Sequence, residues 1–161
     1  MGFCLSMLAF TGISSYSYLQ DMDAETNSYT VGNNDCLIQE SYKKPTTLVS
    51  GTKVSKDVKV KNTGTVPCYI RLYVKPSYKP ESFTFNMNSD TSLTGSKDWY
   101  QSGDWYYYKK PVSPGSTTSS LFTTVTLKEN MTKWAAEDLK IIMYAESIQS
   151  SGATDAYKAF N

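Results

Sequence analysis

Three groups of residues in this chain have types and spacings that chemistry uses: cysteines 4, 36 and 68, an alternating acidic trio, and a dense aromatic run. Cys36 and Cys68 could pair in an oxidising compartment, and no C-x-x-C spacing points to a metal or a redox couple. Asp21, Asp23 and Glu25 alternate as half of a calcium loop does. The glycine and the distal bidentate glutamate are not at the required spacing, so the trio reads as a solvated acidic arm. Trp99-Tyr100-Gln101 and Trp105-Tyr106-Tyr107-Tyr108 offer flat rings of the kind that stack on sugar faces, making Trp99, Trp105 and Tyr107 a candidate ligand platform. The competing reading is that alternate rings fill a core and the others cover a sheet.

Histidine is absent, which removes the commonest general base, the commonest zinc ligand and every Ser-His or Cys-His pair. No catalytic residue, metal ligand set or cofactor is therefore expected, and the chain does not read as an enzyme. The formal net charge is +1 and Arg71 is the sole arginine, so nothing suggests a nucleic-acid partner. Asn130-Met131-Thr132 matches a glycosylation sequon by pattern alone.

The start of the chain suggests processing. Gly2 to Ile13 is apolar but too short to span a bilayer as a helix. It leads to Ser15 and Ser17, small residues at the −3 and −1 positions of a signal-peptidase site, with Tyr18 as the new N-terminus. Residues 1–17 are thus expected to be a signal peptide with a truncated basic region, since the first basic residue is Lys43. The alternative is a buried first strand of the domain. After cleavage no stable membrane insertion is expected.

The elements that would hold these residues are strands. Aromatics make up 14% of the 161 residues and thirteen are tyrosines, a composition suited to a pleated, half-buried surface. Residues 18–161 are long enough for one domain with its own core. Within it, 18–31 reads as an extended arm and first strand. Ser28–Val31 and Cys36–Glu40 flank the turn-forming Gly32-Asn33-Asn34. Val54–Lys61 alternates, with Val54, Lys56, Val58 and Val60 on one parity, and Val58-Lys59-Val60-Lys61 puts valines inward and lysines outward. Tyr69–Lys75 sets Ile70, Leu72 and Val74 against Tyr69, Arg71 and Tyr73. Phe83–Phe85, Thr117–Leu127 and Leu139–Ser147 are further strands, and the aromatic runs form a hairpin across Ser102-Gly103-Asp104. Asn130–Asp138 and Asp155–Phe160 read as short helices. The expected fold is an all-β, jelly-roll-like antiparallel β-sandwich with minor helical turns.

Several of these pieces in this order resemble a known family. They are Asn27-Ser28-Tyr29-Thr30-Val31-Gly32-Asn33, Ile38-Gln39-Glu40, the run Lys56 to Thr65 after Gly51, and Tyr69-Ile70-Arg71-Leu72. Tyr106 to Pro111 with Pro114-Gly115, Leu121-Phe122 and Tyr144 to Gln149 follow. The chain resembles the exported proteins of Gram-positive bacteria typified by TasA and camelysin, over nearly its whole length. That resemblance implies a jelly-roll-like sandwich, secretion, cleavage by a dedicated signal peptidase, and assembly into extracellular fibres with itself or related matrix subunits. Camelysin-type members carry a metallopeptidase classification, which the lack of an H-E-x-x-H motif argues against here. The family usually has apolar residues where Cys36 and Cys68 stand, so a bridge and two small core side chains both remain open; a bridge would add about 3 kcal/mol in the loop-closure picture.

In such fibres the freed arm of one subunit adds as a strand to the next, and here Tyr18, Leu19, Tyr29 and Val31 would carry that role. The expected function is a structural protein of the cell surface or biofilm matrix. A monomeric surface module for a glycan or a host protein is the alternative.

Overall fold

The computed structural model describes residues 15–18, 27–31, 34–43, 49–76, 80–128 and 140–161. Its strands, in chain order, are β1 (Ser15–Tyr18), β2 (Asn27–Val31), β3 (Asn34–Tyr42), β4 (Lys53–Asn62), β5 (Cys68–Pro76), β6 (Phe83–Phe85), β7 (Ser89–Asp90), β8 (Trp99–Ser102), β9 (Trp105–Tyr108), β10 (Phe122–Leu127) and β11 (Lys140–Gln149). A short helix, α1 (Ala156–Phe160), ends the chain. The strands form a six-stranded sheet in the order β1-β11-β5-β9-β8-β7 and a five-stranded sheet in the order β2-β3-β4-β10-β6. This is a two-sheet, all-β sandwich. Every pairing is antiparallel except the two-residue contact of β7 with β8, which the sequence reading did not foresee.

Alternation builds the core. From the five-stranded sheet Cys36, Ile38, Val54, Val58, Val60, Phe83, Phe122, Val125 and Leu127 point inward. They meet Cys68, Ile70, Leu72, Trp99, Tyr106, Ile141, Met143 and Ala145 of the other sheet. The longest ladder joins β11 to β5, with Ile141 opposite Pro76 and Gln149 opposite Cys68. Because a strand's side chains alternate strictly, this register fixes which face every residue of both strands presents.

Three details sharpen or alter the expected strands. Lys56 faces inward with the valines and is only 1% exposed, because it shares their parity along β4. A buried ammonium is costly without a partner. Glu40, inward on β3, forms a salt bridge with it, and the Tyr42 ring lies 5.7 Å from the ammonium. The aromatic hairpin turns through two residues instead of three: Ser102 still pairs with Trp105, leaving Gly103 and Asp104 at the tip. Gly103 has φ 59°, the left-handed conformation that such a tight turn demands. Finally, β10 begins at Phe122, and Thr117 makes only an isolated bridge to Lys61. Between Phe122 and Thr124 the register against β4 shifts, and Asn86 Oδ1 accepts from the amides of Thr123 (2.9 Å) and Thr124 (2.7 Å). A side chain thus supplies the acceptor that the broken ladder lacks.

Candidate functional site

Two regions carry the residues singled out from the sequence: the N-terminal edge of the sandwich and the outer face of the six-stranded sheet. At the edge, β1 pairs with β11, from Ser15 opposite Met143 to Tyr18 opposite Lys140. β2 pairs with β3, from Asn27 opposite Ile38 to Val31 opposite Asn34. The two strands are consecutive in the chain, yet each is the outermost strand of a different sheet. Among the described residues each is hydrogen-bonded to a single strand. Ser15, Ser17 and Tyr18 therefore lie in an edge strand, and Tyr29 and Val31 in another. A cut after Ser17 would leave only Tyr18 of β1 on the body.

Leu19, Cys4, the acidic trio, the sequon and the helix expected over Asn130–Asp138 fall outside the described residues. Among the described residues no group of three or more carboxylates and cysteines is placed to hold a metal ion, and no helix is long and apolar enough to cross a membrane.

The three candidate platform residues divide between two packed clusters on opposite faces of the six-stranded sheet. Trp99 is fully buried between the sheets, and its indole Nε1 donates to the Ser119 carbonyl (3.2 Å). Tyr107 is buried on the opposite face, where Tyr69 and Ala156 join it in a second, smaller core roofed by Tyr157 and Phe160 of α1. The parity of β9 explains the split: Tyr106 packs into the main core, while Trp105 and Tyr107 point outward. Only Trp105 of the three keeps exposed ring surface. It stands in a row with Tyr73 and Tyr144 across three strands, at centroid spacings of 5.6 Å. The rings tilt by 61° and 58° to one another, so they pack edge against face and present no flat strip.

Arg71 ties this face together. Its guanidinium lies 4.2 Å from the Trp105 ring centroid and 4.6 Å from that of Phe160. Its Nε and Nη2 reach Glu146 Oε2 at 2.7 Å and 2.6 Å. A five-residue helix has almost no stability of its own, so α1 exists because this surface receives it. Asp155 supplies the N-cap, its carboxylate accepting from the Lys158 amide at 2.9 Å. The helix and the rings are both legible in the sequence but their pairing is not, since Trp105 and Phe160 are 55 residues apart.

A polar cluster lies at the other end of the aromatic hairpin. Asp98 accepts from Ser119 Oγ (2.7 Å) and Asn88 Nδ2 (3.2 Å), and these bonds hold its carboxyl below the usual carboxylate value of 3.8. Asp90 is likewise held low, chiefly by the Lys97 amide and then by Lys109. Its carboxylate packs so closely on Gly95 that a Cβ there would meet it at 2.1 Å. The aspartates, the serine and the lysines have their bonds within the protein, so the cluster fastens loops.

Cys36 and Cys68 are both free thiols buried in the main core. Burial pushes Cys36 up to about 12 and Cys68 up to about 11, from an ordinary 9.0. Comparison with protein-family models, with curated proteins and with solved structures finds no match to this chain.

Proposed function

We propose that this chain is an exported structural subunit of a bacterial cell surface or biofilm matrix, of the kind typified by TasA and camelysin, with jelly-roll connectivity. It assembles by passing its N-terminal strip to a neighbouring copy. The observation that carries this reading is the placement of β1 and β2 at the edges of two different sheets. An edge strand can leave without breaking any other pairing, and the strand it uncovers keeps a row of free amides and carbonyls. Cleavage after Ser17 takes away Ser15 to Ser17, the partners of Met143 to Ile141. The 18–31 strip of a second copy would refill the vacated edge of β11 with a new ladder of backbone hydrogen bonds. Passed head to tail, the contact does not close, and a filament grows.

The test is negative-stain microscopy and sedimentation of the chain beginning at Tyr18, beside the same chain lacking Tyr18–Asn27. Filaments are expected from the first and a folded monomer from the second. Filaments from both at one rate, or monomers from both at high concentration, would refute strand donation. In the second case the protein would be a monomeric surface module.

A further inference from the structure

We infer that Cys36 and Cys68 form a disulfide that staples the two sheets of the sandwich, and that the bond is made while the chain folds. The inference does not depend on the assembly reading above.

Two separate chains of contact bring the cysteines to one end of the core. Cys36 points inward from β3, and its thiol shares a hydrogen bond with the Ser147 side chain of the opposite sheet. Ser147 stands opposite Ile70, and Gln149 stands opposite Cys68, so Ser147 and Cys68 are diagonal neighbours on one inner face. On the other side, Cys36 lies opposite Asn62 in the β3–β4 ladder. Asn62 Nδ2 donates to the Val112 carbonyl (2.8 Å), and Val112 exchanges both backbone hydrogen bonds with Cys68 (3.1 and 2.8 Å). Each route leads from one thiol to the neighbourhood of the other. The Asn62 amide and the Ser147 hydroxyl border this end of an otherwise mainly apolar core.

The chemistry is thiol–disulfide exchange with a small-molecule or protein disulfide. One cysteine thiolate attacks a sulfur of that oxidant and expels its first thiolate. The second cysteine thiolate attacks the mixed disulfide and expels the other. Two electrons pass from the cysteine sulfurs to the oxidant, and the two cysteine protons end on the two thiols released. The attacking species is the thiolate. In the folded, reduced chain Cys36 and Cys68 are 1% and 0% exposed and both thiols are raised by burial. The finished core therefore shields them, and oxidation must precede its closure.

The test uses the full chain carrying Cys4→Ser, which leaves Cys36 and Cys68 as the only thiols. It is refolded from urea with oxidised glutathione, alkylated under denaturing conditions and digested for mass spectrometry. The expected product is one linked peptide pair and an intact mass about 2 Da below that of the reduced chain. Its urea midpoint should exceed that of the reduced protein. Folded, reduced protein given the same oxidant should stay unlinked for at least tenfold longer. Separately alkylated cysteines after oxidative refolding would overturn the inference, as would a bridged form that unfolds at lower urea than the reduced one. Equal oxidation rates for folded and unfolded chains would overturn the claim about timing. Peptide mapping of the unsubstituted chain guards against a folding fault in the variant: Cys36–Cys68 linkage should dominate over any pairing with Cys4, and the reverse would overturn the proposal.

Discussion

Replacing Arg71 by alanine should loosen α1 and lower the stability of the whole domain. Arg71 makes two ring contacts, at 4.2 Å to Trp105 and 4.6 Å to Phe160, and a two-point bond to Glu146. Each partly exposed cation–π contact is worth roughly 0.5–1 kcal/mol. The ion pair is 19% and 27% exposed, so solvent screening limits it to about 1 kcal/mol despite its good geometry. Together these give a loss of about 2 kcal/mol, which lowers the urea midpoint by about 1 M for a domain of this size. Arg71→Lys keeps the charge but lacks the planar fork and the stacking face, so it should recover about half of that. Urea unfolding followed by tryptophan fluorescence gives the midpoint. Hydrogen exchange gives the location: the Lys158 and Ala159 amides of α1 should lose protection while those of the β5–β11 ladder keep it. A midpoint within about 0.2 M of the parent in Arg71→Ala, or full recovery in Arg71→Lys, would refute the idea that a stacked guanidinium holds the helix down.

Three further perturbations probe other parts of the structure. Lys56→Met leaves the Glu40 carboxylate facing inward without its ammonium and should cost about 3 kcal/mol in urea unfolding, whereas Lys56→Met with Glu40→Leu should return to within about 1 kcal/mol of the parent. Asn86→Ala removes the acceptor for the Thr123 and Thr124 amides and should cost about 1 kcal/mol with faster exchange at both, while Asn86→Asp, which keeps the oxygen, should cost less. Asp98→Asn tests a pH effect. The folded carboxyl titrates below its usual 3.8, so its contribution is present above that value and disappears as the pH falls through the folded pKa. The variant should be less stable near neutral pH, and the difference in urea midpoint should shrink in acid; a constant difference would show that the charge is not responsible.

Strands that carry one clear parity were legible in the sequence. β4 and β5 alternate over most of their length, and burying one face of each is the only arrangement that hides Val58, Val60, Ile70 and Leu72 together. Lys56 shows the limit of that reasoning. Its parity placed it inward, yet its type argued for solvent, and only the presence of Glu40 on the adjacent strand resolves the conflict. β7 escaped notice because two residues cannot display a period, and its pairing is set by the Asn88 and Asp98 network instead of by an apolar face. The aromatic run was legible as a hairpin but not as a site. Successive tyrosines look alike from both faces, so the sequence does not tell which ring enters the main core and which waits for α1.

That last ambiguity bears on function. An aromatic outer face left open would be a natural ligand surface, and its rings would be the place to look for a binding module. Here the protein spends that face on its own C-terminal helix, with Arg71 stacked between two rings and its nitrogens already bonded to Glu146. The opposite flank is organised differently. Among the described residues β1 and β2 pair with four of the ten residues of β11 and five of the nine of β3. Short outer strands are easily exchanged, because few ladder bonds must open at once. Under the proposed assembly, such an edge, and not the covered aromatic face, is where a strip from a second copy would add.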